Sequence, residues 1–235
     1  MTGPLSTHVP ASAVVPPVRR PYTAAFRALV ALAAVTGIVI DLALGSPGRV
    51  LSYFTVQSNL FVAVVFALAA RRAWSARPPL PAPLTGAALL YISVTGLVYH
   101  LVLAADVSSS SPAASLATQL LHTATPLAAL LDWLLLTRPG DLRLRHTPWW
   151  LLYPPAYLLY SLARGALLPP GPTARYPYPF LDVDTQGYAA VLGNASVLGL
   201  TFCALATLMI GLDRVRPYVR GPENRISPPG PGGLK

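Results

Sequence analysis

Six apolar stretches, at residues 24–44, 49–70, 84–105, 115–136, 147–168 and 187–212, each approach the roughly 20 residues that a helix needs to cross a bilayer. In hydrocarbon every backbone polar group has to be satisfied within the protein, and helices do this segment by segment. The chain is therefore expected to be all-α: a polytopic membrane protein built as a six-transmembrane-helix bundle over residues 22–213. The flanking segments 1–21 and 214–235 are rich in Pro and Gly and cannot bury enough apolar surface to fold alone. They are expected to be disordered cytoplasmic tails.

A net charge of +9 would also suit a nucleic-acid binder, so its placement matters. Arg19 and Arg20 precede the first stretch. Arg71, Arg72 and Arg77 follow the second, Arg138, Arg143 and Arg145 follow the fourth, and Arg214, Arg216, Arg220, Arg225 and Lys235 follow the sixth. Only Arg49 and Arg175 lie in the opposite loops, with Arg27 and Arg164 inside spans. This asymmetry predicts both termini in the cytoplasm of a multi-pass cell-membrane protein. The charge reports topology; the partners it implies are membrane lipids, not nucleic acid. Arg heavily outnumbers Lys, and Ala and Pro are abundant, as in proteins of GC-rich bacteria. Cys203 is the only cysteine, which excludes an intrachain disulfide or a cysteine metal cluster and predicts a packing role at mid-span.

An ionisable side chain at the membrane centre costs at least about 2.5 kcal/mol on insertion scales, so the polar residues within the stretches are the functional candidates. Counting about 1.5 Å per helical residue places Asp41, Thr55, His100, His122, Arg164 and Asn194 at one depth, within roughly 10 Å of the outer face. A shared cavity open to the outer leaflet would explain that layer, with Asp132 as the exception near the inner side. Residues three or four apart share a helix face. Ser52, Thr55 and Asn59 align on the second helix; Ser115, Gln119, His122 and Thr125 align on the fourth. Tyr153, Tyr157, Tyr160 and Arg164 form a stripe on the fifth, and Ser93, Gly96 and His100 line up on the third. Taken singly, a Thr in a span is more often a helix–helix contact than a nucleophile, and Asp41 with Arg164 is equally readable as an ion pair. Pro126 lacks the N–H that would bond the carbonyl of His122, so a kink is expected beside that histidine.

The runs Tyr53-Phe54-Thr55-Val56-Gln57-Ser58-Asn59, Gln119-Leu120-Leu121-His122-Thr123-Ala124-Thr125-Pro126 and Tyr176-Pro177-Tyr178-Pro179-Phe180-Leu181-Asp182 resemble the bacterial six-helix membrane proteins called Pr-six-Pr. Those are distantly similar to the eukaryotic androgen-induced membrane proteins. The resemblance implies an intramembrane hydrolase of fatty acid esters of hydroxy fatty acids, with Thr55 as nucleophile and His122 as its general base. A histidine within about 3 Å accepts the proton as the hydroxyl attacks an acyl carbon. The Gln57-Ser58-Asn59 tail and the Tyr-Pro-Tyr-Pro loop depart from the eukaryotic pattern, so the substrate is carried over only as a hydrophobic acyl ester. Asn59, His100, Tyr160, Arg164 and Asn194 are the substrate-binding candidates; Asn59, His100, Arg164 and Asn194 are equally the candidate oxyanion donors. No phosphate loop, zinc-ligand spacing, dinucleotide fingerprint or Gly-x-Ser-x-Gly elbow occurs, so no cofactor or metal is expected. The competing expectation is a non-catalytic transporter or lipid-binding membrane protein using the same polar layer as a solute site. The sequence leaves the oligomeric state open.

Overall fold

The computed structural model describes residues 18–105, 111–169 and 175–217; of the expected tails, 1–21 and 214–235, residues 1–17 and 218–235 lie outside the described residues. Among the described residues six helices of 15 residues or more follow one another: α1 (Pro21–Leu44), α2 (Phe54–Trp74), α3 (Ala82–Leu103), α4 (Pro112–Leu136), α5 (Tyr153–Leu167) and α6 (Val183–Val215). No strand occurs among the described residues. Five of the six are long and apolar enough to cross a membrane, and α5, at 15 residues, is not. The α6 helix runs to Val215, past the boundary at residue 213 expected from hydropathy.

Two of the expected spans are broken near their starts. The second opens with one helical turn, Pro47–Val50. Tyr53 is then extended, with φ −74° and ψ 135°, and α2 begins at Phe54. Thr55 thus lies in the first turn of α2, not a turn and a half inside a helix. The fifth opens with the turn Thr147–Trp150, and α5 begins only at Tyr153. Proline is tolerated in the first turn of a helix, where its missing N–H is not needed, so Pro154 and Pro155 set where α5 starts. Trp150 anchors the break, its indole N–H donating to the Pro83 carbonyl at 2.8 Å while its own carbonyl accepts from the Tyr91 hydroxyl at 2.9 Å. Gly187 breaks the start of α6 with a φ of 75°, a conformation that favours glycine.

Small residues set the packing. Ala24, Ala31 and Ala34 on α1 and Ala63, Ala70 and Ala73 on α2 are buried, which lets two helices approach closely along their length. The α3 and α4 helices close the core, and α6 is the least buried of the long helices. At the end of the bundle remote from Thr55, the Arg20 N–H donates to the Ala73 carbonyl at 3.0 Å. There Arg27 forms a two-pronged pair with Asp132, at 2.8 and 3.1 Å, with both side chains 8% exposed. The pairing entertained between Asp41 and Arg164 does not occur, because Arg164 donates instead to the Arg175 carbonyl. Nearby Asp213 accepts from the Trp133 indole N–H, from the Gly140 and Leu142 N–H groups and from Arg216, which ties the loop after α4 to the end of α6.

Candidate functional site

The start of α2 presents N–H groups that have no partner within the helix, and tyrosine hydroxyls from elsewhere in the fold accept from them. The Phe54 N–H donates to the Tyr157 hydroxyl at 3.1 Å, and the Thr55 N–H donates to the Tyr178 hydroxyl at 3.1 Å. Tyr157 passes its own proton to the Ser52 carbonyl at 2.9 Å. Tyr153 donates to the Gln57 side chain. Two members of the α5 tyrosine stripe therefore hold the helix end that carries Thr55. The partial positive charge of a helix N-terminus also falls there.

Thr55 Oγ1 lies 3.2 Å from His122 Nε2, and His122 Nδ1 lies 3.1 Å from the Thr118 carbonyl oxygen. A carbonyl oxygen only accepts, so Nδ1 carries the proton of the neutral ring and Nε2 keeps a lone pair. The Thr55 hydroxyl accordingly donates to Nε2. The Tyr99 ring, 4.3 Å from the imidazole between centroids, covers one face of it. Hydroxyl, base and orienting acceptor thus stand in line, which is the arrangement that activates a nucleophile.

The backbone of α4 widens to form this site. Leu120–Ala124 is a π-helical turn, in which the Thr125 N–H donates to the carbonyl of Leu120, five residues back. The next position in that register is Pro126, which has no N–H. The Leu121 carbonyl therefore has no backbone donor. Asn59 supplies the missing donor: its Nδ2 reaches the Leu121 carbonyl at 3.1 Å and the Thr55 carbonyl at 2.9 Å. A Cβ at Gly96 would lie 3.1 Å from Pro126 Cβ and 3.3 Å from the His122 carbonyl oxygen, so glycine lets α3 pass this close to the widened turn.

Beside Thr55 and His122 is a cavity of about 340 Å³, within the range of about 300–1,000 Å³ common for small-molecule sites. Its walls are almost wholly apolar, with Val94 and Val98 from α3, Leu158 from α5 and Leu198 and Phe202 from α6. Pro155 on α5 and Cys203 on α6 also line it and are exposed, which puts an opening on the flank of the bundle between those helices. Cys203, for which a packing role was expected, is exposed at this opening.

The expected polar layer assembles only in part. Thr55, His122 and Asn59 come together, but Asn59 is fully buried behind Thr55 and touches its carbonyl, not its hydroxyl. His100 donates to or accepts from the Thr123 hydroxyl at 3.1 Å and does not line the cavity. Asn194 holds the Phe180 carbonyl at 3.0 Å, and Arg164 holds the segment at Arg175. Tyr160 packs beside Tyr157 and is 43% exposed. Equal depth does not specify which way a side chain points around its helix, and His100, Arg164 and Asn194 point elsewhere. The residue that depth counting missed is Tyr178, whose hydroxyl lies 3.2 Å from Thr55 Oγ1. Its signal was the Tyr-Pro-Tyr-Pro composition of the loop, too apolar for a solvent-facing connection. The short 3₁₀ turn Pro179–Leu181 and a 5.0 Å stack on Phe180 hold Tyr178 in place.

Comparison with known protein families, characterised proteins and solved structures finds no match to this chain.

Proposed function

We propose that this protein is an intramembrane ester hydrolase in which Thr55 is the nucleophile and His122 the general base, acting on a long-chain acyl ester. The observation that carries this reading is the fixed tautomer of His122. With Nδ1–H held by the Thr118 carbonyl, Nε2 can only accept, and what it faces is a buried threonine hydroxyl lining an apolar cavity. In the first step the Thr55 oxygen adds to the ester carbonyl carbon and its proton passes to Nε2. The tetrahedral intermediate then expels the alcohol, which takes that proton, leaving the acyl group on Thr55. Water, deprotonated by the same histidine, releases the fatty acid and restores the threonine.

The apolar walls fit a single acyl chain, and an opening on the flank between α5 and α6 lets such a chain enter from the bilayer. We further propose six spans, with α5 completed by the preceding turn Thr147–Trp150, both termini in the cytoplasm and Thr55 in the outer half of a bacterial cytoplasmic membrane. The arginine distribution supports this orientation. The three motifs resemble the Pr-six-Pr proteins, and the distant similarity of those to the androgen-induced hydrolases is in keeping with this chemistry.

Turnover of a panel of fatty-acyl esters and labelling by a long-chain fluorophosphonate, measured on folded protein in detergent, test the reading. Thr55→Ala and His122→Ala are expected to abolish both, and the double variant to be no worse than either, since the two groups act as a unit. Thr55→Ser keeps a hydroxyl and is expected to retain some turnover. Full turnover by Thr55→Ala would exclude the nucleophile. No turnover and no labelling of the wild type would favour a lipid-binding or transport role for the cavity.

A further inference from the structure

A hydrolase of this kind needs a donor for the oxygen that turns negative when the ester carbonyl is attacked, and the hydroxyl groups around the cavity can be assigned one at a time. The Tyr157 proton goes to the Ser52 carbonyl at 2.9 Å. The Thr95 proton is taken up by the Ser58 hydroxyl at 2.8 Å or by the Tyr91 carbonyl at 3.1 Å. The Thr55 proton goes to His122 Nε2. Tyr178 remains. Its oxygen already accepts the Thr55 N–H at 3.1 Å, so its proton is free to point away from that donor, and the acceptor it meets at 3.2 Å is Thr55 Oγ1.

From this geometry we infer that Tyr178 is a catalytic residue, the oxyanion donor of the reaction proposed above, and the inference rests on that reaction. In the resting protein the Tyr178 O–H occupies a lone pair of Thr55 Oγ1. When that oxygen adds to the ester carbonyl, its lone pair becomes the new C–O bond and the carbonyl π pair moves onto the carbonyl oxygen beside it. The Tyr178 proton then has a stronger acceptor within reach and turns to it without leaving its own oxygen. The hydrogen bond is thus stronger in the transition state than before it, as an accelerating interaction has to be. Burial pushes the Tyr178 phenol up to about 12 against the opposing pull of its Thr55 contacts, so the group remains a donor at any pH at which the protein works.

The test uses the full chain in detergent, a fatty-acyl ester as substrate, and two probes: a long-chain alkyl trifluoromethyl ketone, which forms a tetrahedral adduct, and the matching fatty alcohol, which does not. Tyr178→Phe is expected to lower kcat by about 10²–10³-fold, as loss of one oxyanion donor does, with little change in KM. It is expected to weaken the ketone by a similar factor and to leave the alcohol unaffected. A purely structural role would weaken both probes together. A second variant carries trifluorotyrosine at position 178, which keeps the shape and the hydroxyl but ionises at lower pH. Because a phenolate cannot donate, this variant is expected to acquire an alkaline loss of activity that the wild type lacks. If the wild type hydrolyses the ester and binds the ketone but neither variant shows its expected change, Tyr178 is not the donor. If the wild type does neither, the Thr55–His122 reading itself falls.

Discussion

Asn59→Leu is the most direct test of how the site is built, because Asn59 joins the helix of Thr55, the proposed nucleophile, to the helix of His122, its proposed base. The substitution keeps the side-chain volume and removes two N–H donors, one to the Thr55 carbonyl at 2.9 Å and one to the Leu121 carbonyl at 3.1 Å. The Thr55 carbonyl keeps the Ser58 hydroxyl at 3.0 Å. The Leu121 carbonyl has only Pro126 as the next position in its widened turn, so it is left without a donor in a residue that is fully buried. Orphaning a buried carbonyl costs about 1–3 kcal/mol. Asn59 Oδ1 is itself buried without a partner, and its removal offsets part of that loss, so the net destabilisation expected is about 1–2 kcal/mol. The kinetic effect should be larger in proportion. With the two helices no longer clamped, a shift of about 1 Å between Thr55 and His122 corresponds to about a 10²-fold fall in kcat. KM should change little, since Asn59 does not line the cavity. Unfolding by SDS titration in mixed micelles, read alongside ester turnover, measures both quantities. A variant as stable and as fast as the wild type would refute the clamp.

Asp132→Ala leaves the Arg27 guanidinium buried with only a 3.4 Å contact to Thr137, and the same SDS titration should show a loss of about 3–5 kcal/mol. The double replacement Arg27→Met with Asp132→Leu should recover most of it; equal loss in both proteins would mean that the pair is not what is being measured. An alkyl maleimide that reaches Cys203 should block ester turnover by filling the cavity opening between α5 and α6, and Cys203→Ala should hydrolyse the ester and be immune to the reagent. Turnover surviving complete Cys203 labelling would place the entrance elsewhere. On a Cys203→Ala background in intact cells, an impermeant thiol reagent should label a cysteine placed at exposed Thr185 but not one at Arg138, and the reverse pattern would invert the proposed topology. Turnover should fall as pH drops through the protonation of His122, since only the neutral ring accepts the Thr55 proton; an acid-independent rate–pH profile would exclude the base.

The apolar stretches are one-dimensional signals, so the helical architecture and the helices long and apolar enough to cross a membrane were legible in the chain itself; the proposed orientation rests on the arginine pattern alone. Polar residues at similar counted depth also marked Thr55 and His122 as worth bringing together. Depth is a coordinate along a helix, however, and says nothing of rotation around it. His100, Arg164 and Asn194 share that depth but turn to Thr123, Arg175 and Phe180. Nor does hydropathy register a helix break that leaves the composition apolar, which is why Thr55 was expected inside a span and is found in the first turn of α2, where tyrosines from α5 and from a distant loop accept its N–H groups. The π-helical turn in α4 leaves the Leu121 carbonyl without a backbone donor and gives Asn59 a structural task. The last decision, that His122 accepts from Thr55, rests on the Thr118 carbonyl standing one turn back against Nδ1. A proton's position depends on every acceptor around the ring, and only the folded chain brings those acceptors together.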